Sequence, residues 1–223
     1  MRAMAATAQS SPPAAEPRPG LRERKKTKTR IAIREATYRL IETRGYDATT
    51  VEQIAEAAEV SPSTVFRYFP TKEDIVLTDE YDPLLEQELR ERPGGEPWSD
   101  SLRHVLREAI GLGPSQDPEV CRLRTRLMAE VPSVRSRMME SASVTGRILS
   151  RAIAERVGRD PDSLEARVLA MSLIGALMET SLYWAETGHQ EDFADLVDRT
   201  VSVLEHGLPP GNPEATGAPR MSS

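Results

Sequence analysis

Apolar side chains recur at helical spacing along most of this 223-residue chain, and the strict alternation of a strand appears nowhere. The first amphipathic segment runs from about Arg24 to Arg44. Ile33, Ala36, Thr37, Leu40 and Ile41 fall at i, i+3, i+4, i+7 and i+8 on one face, and Gly45 stands at the expected C-cap. Thr49 and Thr50 are alternative N-caps for a short helix over 51–58, each followed at capping-box spacing by Glu52 or Gln53. Val51, Ile54, Ala55 and Ala58 share one face of that helix. Ser61 and Pro62 open a helix over 62–69, because a proline at the first helical position gives up only an N–H that has no intrahelical partner. Thr71 caps a fourth helix with Glu73 and Asp74 in its first turn, where negative charge meets the helix dipole favourably. After a linker over 92–98, further helices are predicted at roughly 99–112, 118–129, 132–157, 162–187 and 190–206, with Asp117–Pro118 and Asp160–Pro161 as start signals. The expectation is an all-α chain of nine helices.

Residues 1–20 hold four prolines and six alanines without apolar periodicity, so they read as a disordered tail, as does 208–223. Between them, a small domain over 21–72 and a helical body over 73–207 are expected. With 39% apolar and 29% charged residues the chain has the composition of a folded soluble protein. A single cysteine, Cys121, rules out an intrachain disulfide and fits a reducing compartment. The opening residues lack the apolar run of a signal peptide, and the apolar stretches fall short of a membrane span; no membrane association and a cytoplasmic location are expected.

The net charge of −6 conceals an asymmetry. Residues 1–72 carry 13 Lys and Arg against 8 Asp and Glu, whereas the remainder carries 16 against 27. A basic front on an acidic body points to a polyanionic partner for the front alone, or to a solvated helix face. Five of the ten aromatic residues (Tyr38, Tyr46, Phe66, Tyr68, Phe69) also fall within 38–69.

Helix 51–58, the break at Ala58–Glu59–Val60 and helix 62–69 have helix-turn-helix proportions. Val51, Ile54, Ala55, Val60, Val65 and Phe69 would form its core, leaving Ser63, Thr64, Phe66, Arg67 and Tyr68 outward. The string TTVEQIAEAAEVSPSTVFRYFPTKED, with RGYDATT and LRERKKTKTR before it, resembles the N-terminal signature of TetR-family transcriptional regulators. The resemblance spans residues 21–80 and implies three helices for DNA, followed by a helical domain that binds a ligand and dimerises. Where the family usually has Gly in the turn, this chain has Glu59, so a non-glycine residue must tolerate the geometry there. Phe66 stands where Tyr is most frequent; without the hydroxyl it suits apolar contact with a thymine methyl.

The resemblance also implies roles. Thr64 and Arg67, with Ser63 nearby, are expected at base edges, although Arg67 also suits phosphate. Thr50, Ser61, Phe66, Tyr68 and Lys72 complete the expected DNA-binding set, with Thr50, Tyr68 and Lys72 in phosphate-contacting positions. Arg22, Arg24, Lys25, Lys26 and Lys28 sit at a helix N-terminus, where positive charge opposes the dipole unless phosphates compensate it.

In the body, the segment 164–184 is apolar on nearly all sides and is expected to be buried all round. The family pairs its last two helices with those of a twin, so Leu173, Leu177, Phe193, Leu196, Val197, Val201 and Leu204 are the expected dimer interface, and a palindromic double-stranded operator the expected DNA. The ligand pocket is expected among the middle helices, with Trp98, His104, Leu123, Leu127, Met128, Met138, Met139, Met171 and Met178 as candidates by residue type; core packing is the competing role for each methionine. The strings GLRERKK and FRYFPTKEDIVL resemble a subgroup that includes regulators responding to acyl-CoA thioesters. Arg122, Arg124, Arg126, Arg135 and Arg137 would suit such an anion or form a solvated face. His104, His189 and His206 lie too far apart in sequence to suggest a metal site, and neither a cofactor nor catalytic residues are expected. The reading is a ligand-responsive repressor. The alternatives are a DNA-acting enzyme with a basic docking front, or a ligand-carrying helical bundle.

Overall fold

A computed structural model of the protein describes residues 21–78, 82–112 and 118–208. The tails expected over 1–20 and 208–223 lie outside the described residues, Leu208 apart, and so does Asp117. The described residues form ten helices and no strand: α1 (Leu21–Arg44), α2 (Val51–Ala57), α3 (Pro62–Tyr68), α4 (Lys72–Leu77), α5 (Asp82–Glu91), α6 (Trp98–Leu112), α7 (Pro118–Glu130), α8 (Pro132–Val157), α9 (Leu164–Glu186) and α10 (Phe193–His206).

The count is ten rather than nine because the expected fourth helix is two. Thr78 is extended, with φ −70° and ψ 131°, and Pro83 lies in the first turn of α5. A proline there has no N–H to offer an upstream carbonyl and clashes with it, so α4 cannot run through. Asp160–Pro161 likewise does not start a helix. Ser163 Oγ donates to Asp160 O and Asp162 N to Asp160 Oδ1, closing a turn after which Ser163 is the N-cap of α9.

Four apolar clusters build the described residues, the smallest being Leu89, Val105 and Ala152 between α5, α6 and α8. In the head, Ile33 of α1, Ile54 and Ala55 of α2, Val65 and Phe69 around α3, and Ile75 of α4 are buried together. In the body, Leu102, Ile153, Ala170, Leu173 and Val201 join α6, α8, α9 and α10. The third cluster spans both: Tyr38, Ile41, Tyr46 and Val76 pack with Leu123, Leu127, Met128, Val134 and Met138. Helices α8 and α9 run antiparallel, and Gly146 of α8 faces the Met171 side chain of α9, which a Cβ there would meet.

The apolar helix α9 is not buried all round. Leu173, Ile174 and Trp184 are buried, but Leu164, Val168 and Met171 are exposed, by 74%, 53% and 45%. By length and composition α9, alone among the described helices, is long and apolar enough to cross a membrane, contrary to the expectation from sequence; a core helix meets the same criterion.

The turn between α5 and α6 is fastened from α8. The side chain of Arg156 donates to the carbonyls of Arg92 (3.0 Å), Pro93 (2.6 Å) and Glu96 (3.1 Å), all in the turn that follows α5. Within the turn, Arg92 and Ser101 donate to the Glu96 carboxylate and hold its pKa down to about 2. Glu96 thus binds its proton less tightly in the folded chain than in the unfolded one. Its stabilisation is complete above the ordinary value of 4.5 and fades as pH falls toward 2. Glu96→Gln is expected to lower the melting temperature near neutral pH, with the difference from wild type shrinking between pH 4.5 and pH 2 in a calorimetric series.

Candidate nucleic-acid interface

The two short helices of the head owe their ends to local chemistry. Of the two candidate caps for α2, the chain uses Thr50: its Oγ1 accepts from Gln53 N (3.3 Å), and the Gln53 side chain accepts from Thr50 N (3.1 Å). Thr49 turns inward, buried, donating to Gly45 O. At the other end of α2, Glu59 N donates to Glu56 O and Val60 N to Ala55 O, the paired bonds that end a helix on a left-handed residue. That residue is Glu59, with φ +55°, so the turn keeps the geometry normally given to glycine. Ser61 caps α3, accepting from Thr64 N (3.2 Å), and its hydroxyl also meets those of Ser63 and Thr64.

Val65 and Phe69 anchor α3 in the head core, which leaves Ser61, Ser63, Phe66 and Arg67 exposed and Thr64 and Tyr68 half-buried. Phe66 is 51% exposed, a large apolar side chain in water on the outer face of a seven-residue helix. The Arg67 guanidinium lies 5.3 Å from the Tyr68 ring centre, so the two present one flat cationic surface. Arg22, Arg24, Lys25, Lys26 and Lys28 are exposed on the opening turns of α1, and Thr50 is exposed at the start of α2. Arg30, which sequence reasoning did not single out, lies over the Phe69 ring at 5.0 Å.

Lys72, at the start of α4, is half-buried. Its Nζ donates to Tyr46 O (2.8 Å) and Thr49 O (3.0 Å) and sits 3.9 Å from the Tyr46 ring centre. It ties the start of α4 to the turn after α1. Behind it, Tyr46 Oη donates to Glu73 Oε1 (2.7 Å). Burial, reinforced by the adjacent carboxylate, pushes the Tyr46 phenol above its ordinary value. Burial opposes ionisation of Glu73, but the bond from Tyr46 and the donors at the helix start outweigh it and hold that carboxyl below its ordinary range.

Five of the nine candidate pocket residues come together, in the core joining head and body rather than around a cavity. Leu123, Leu127, Met128 and Met138 are core residues of the cluster joining head and body, with Met178 packed against them. Trp98 packs on the body cluster, Met139 and Met171 are exposed, and His104 opens onto a polar cleft with Glu88, Glu91, Arg92 and Glu108. A different apolar seam lies between α5, α6, α8 and α9, lined by Leu89, Trp98, Leu102, Leu149, Ile153, Val157, Leu173 and the stem of Arg156. It is narrow, holding about 10 Å³, close to a single water. Its lining comes from four helices, which is why only Trp98 among its residues stood out by type.

The expected dimer residues are engaged inside the protomer. Leu173, Leu196, Val197 and Val201 are buried, and Leu177, Phe193 and Leu204 half-buried, because the stripe of α10 packs on α6 and α9. Four of the five arginines considered for an anion have partners on this chain: Arg122 meets Glu119, Arg124 meets Leu77 O, Arg135 meets Met128 O and Ala129 O, and Arg137 meets Asp74. Among the described residues no three His, Cys, Asp or Glu come together as metal ligands.

A helix-turn-helix with an exposed polar–aromatic recognition helix, carried on an α-helical body, defines a DNA-binding regulator. Residues 33–78 match the family of bacterial regulatory proteins of the tetR type, and residues 96–209 match the MftR C-terminal domain. The regulator TcmR of Streptomyces glaucescens is 38% identical over 152 residues, which cover 65% of this chain and 67% of TcmR. FadR of Thermus thermophilus, a TetR-family repressor solved with lauroyl-CoA, superposes with a TM-score of 0.51 at 26% identity, covering 82% of this chain and 97% of that one. NalD of Pseudomonas aeruginosa shares the fold, with a TM-score of 0.53 at 19% identity, covering 81% of this chain and 97% of NalD. The chain belongs to the TetR family of transcriptional regulators.

Two substitutions test the geometry of the head. Glu59→Gly removes the steric conflict of a left-handed residue and is expected to raise unfolding stability by about 1 kcal/mol in urea denaturation. Lys72→Met leaves the carbonyls of Tyr46 and Thr49 without their charged donor and is expected to cost about 2 kcal/mol in the same measurement.

Proposed function

We propose that the protein is a cytoplasmic, homodimeric repressor that reads a palindromic operator through α3 and leaves it when a small apolar or amphipathic effector binds the body. The observation that carries this reading is the exposed surface of Ser63, Phe66 and Arg67, with Thr64 beside it, on a helix whose opposite face is locked into the head core. Phe66 suits a thymine methyl, and Arg67 suits a guanine edge or a phosphate. The basic residues opening α1 supply salt-dependent backbone attraction, and phosphates there relieve their conflict with the helix dipole. Lys72 holds the turn after α1 with two of its three N–H donors, which leaves the third for a phosphate.

A second copy of the chain accounts for the apolar side chains left in water on α8 and α9: Val144 and Ile148 on the first, Leu164, Val168 and Met171 on the second. The last three are spaced i, i+4, i+7, the period of a helix seam. Burying such a face contributes roughly 25 cal/mol per Å² of apolar surface, and the two-fold would set two recognition helices about one helical turn of DNA apart. The effector has a candidate entry in the narrow seam around Trp98 and Ile153. A ligand that parts those helices binds the open form better and so shifts the population away from the operator-fitting state. The Thermus FadR complex makes an acyl-CoA thioester the first effector to try. No catalytic step is assigned to the chain.

Selection of bound duplexes from a random pool, followed by fluorescence anisotropy across a salt series, tests the reading. A palindrome is expected. Arg67→Ala should weaken binding to it by about tenfold or more and relax preference at one position per half-site. Failure to recover any motif at low salt would refute the proposal. Val168→Glu with Met171→Glu is expected to give a monomer in light scattering and to lower operator affinity; an unchanged dimer would remove this face from the interface.

A further inference from the structure

Helix α4 has only six residues, yet head and body meet on it, as they also do on α1. From the head it receives Tyr38 Oη, which donates to Val76 O (2.9 Å), and Tyr46 Oη on Glu73. From the body it receives two arginines, one at each end. Arg137 of α8 donates through Nε to Asp74 Oδ1 (2.7 Å), and Arg124 of α7 donates through Nη2 to Leu77 O (2.6 Å) in the last turn. The other oxygen of Asp74 is occupied, since Oδ2 accepts from Thr71 N (3.0 Å) and Thr71 Oγ1 (2.8 Å) to close the N-cap. Asp74 itself is 8% exposed.

The apolar cluster shared by head and body supplies attraction without direction, because hydrophobic burial is indifferent to small rotations. Hydrogen bonds from planar guanidinium groups are directional, and two of them at separate points, about one helical turn apart along α4, oppose rotation where one would act as a pivot. We infer that Arg124 and Arg137 form a two-point clamp on α4 that fixes the angle of the recognition helix to the body, and thereby the half-site spacing the dimer accepts. The inference rests on the reading of the protein as a dimeric operator binder. Both arginines are positioning residues: neither lies on the exposed face of α3, and each acts on DNA only through α4.

The clamp is tested on the full-length protein with the selected operator and with duplexes in which one base pair is added or removed between the half-sites. Wild type, Arg137→Gln, Arg124→Gln, the double variant and the milder Arg137→Lys are compared by anisotropy at fixed salt. Thermal unfolding checks that each is folded. The wild type is expected to bind off-spacing duplexes at least about tenfold more weakly. The double variant is expected to lose most of that discrimination while a single half-site binds as before, with Arg137→Lys in between. A second readout needs no DNA: nitroxide labels at exposed Glu56 in a Cys121→Ala background, measured across the dimer by pulsed electron resonance, should give a broader distance distribution once the arginines are replaced. Equal weakening on every spacing, undiminished discrimination, or an unchanged distribution overturns the clamp. A wild type that binds no operator fails at the earlier step and refutes the regulator reading instead, while a wild type indifferent to spacing refutes the clamp alone.

Discussion

The two oxygens of Asp74 hold different parts of the molecule. One closes the N-cap of a six-residue helix; the other meets a guanidinium from the body. A helix this short does not persist in water on its own, because nucleation consumes more conformational freedom than one or two hydrogen bonds return. It exists because Thr71 and Asp74 complete its first turn, Arg124 takes its last carbonyl, and Ile75 and Val76 are fully buried, each in a different apolar cluster. Removing α4 from this arrangement would strip the head core of Ile75 and the junction of Val76. Head and body are therefore one continuous core, in which α4 belongs to both.

That continuity explains why the recognition surface is rigid on one side and open on the other. Helix α3 is seven residues long and owes its placement to Val65 and Phe69, both essentially without solvent exposure. Its outer face has no internal work, so Phe66 and Arg67 remain in water. An exposed phenylalanine on a well-anchored helix contributes little to folding, and it is understood by what it is offered to. The left-handed Glu59 belongs to the same logic: the turn geometry is kept even where the residue is not the one that adopts it at least cost.

The body is built on the opposite principle. Its helices bury their stripes against one another, leaving a narrow seam rather than a roomy cavity, and α8 and α9 keep an apolar face outside. A narrow apolar seam can widen with small helix displacements, since its walls are joined by contacts without direction. On the outer face, Val144, Ile148, Leu164, Val168 and Met171 stand in water. The same composition thus serves two ends, and only position separates them.

What was legible in the sequence was whatever depends on neighbours within about one helical turn. Thr50 with Gln53, Ser61 with Thr64 and Thr71 with Asp74 are each three residues apart, so the starts of α2, α3 and α4 followed from residue types alone, as did the helix-turn-helix core. Pro83 also announced the break after α4, a local signal that went unused. Periodicity identified apolar stripes but not which stripe would meet another. Leu173, Leu196, Val197 and Val201, expected at a dimer interface, and Met128 and Met138, expected at a pocket, are buried within the protomer, and periodicity could not see that Leu164 and Val168 would stay outside. Lys72 reaches back 26 residues to Tyr46, and Arg137 reaches 63 to Asp74. Such pairings depend on how helices cross, and crossing is set by the joint packing of many side chains at once. The chain's own order determined its helices and the class of its head; only the tertiary structure decided which charges hold the head to the body.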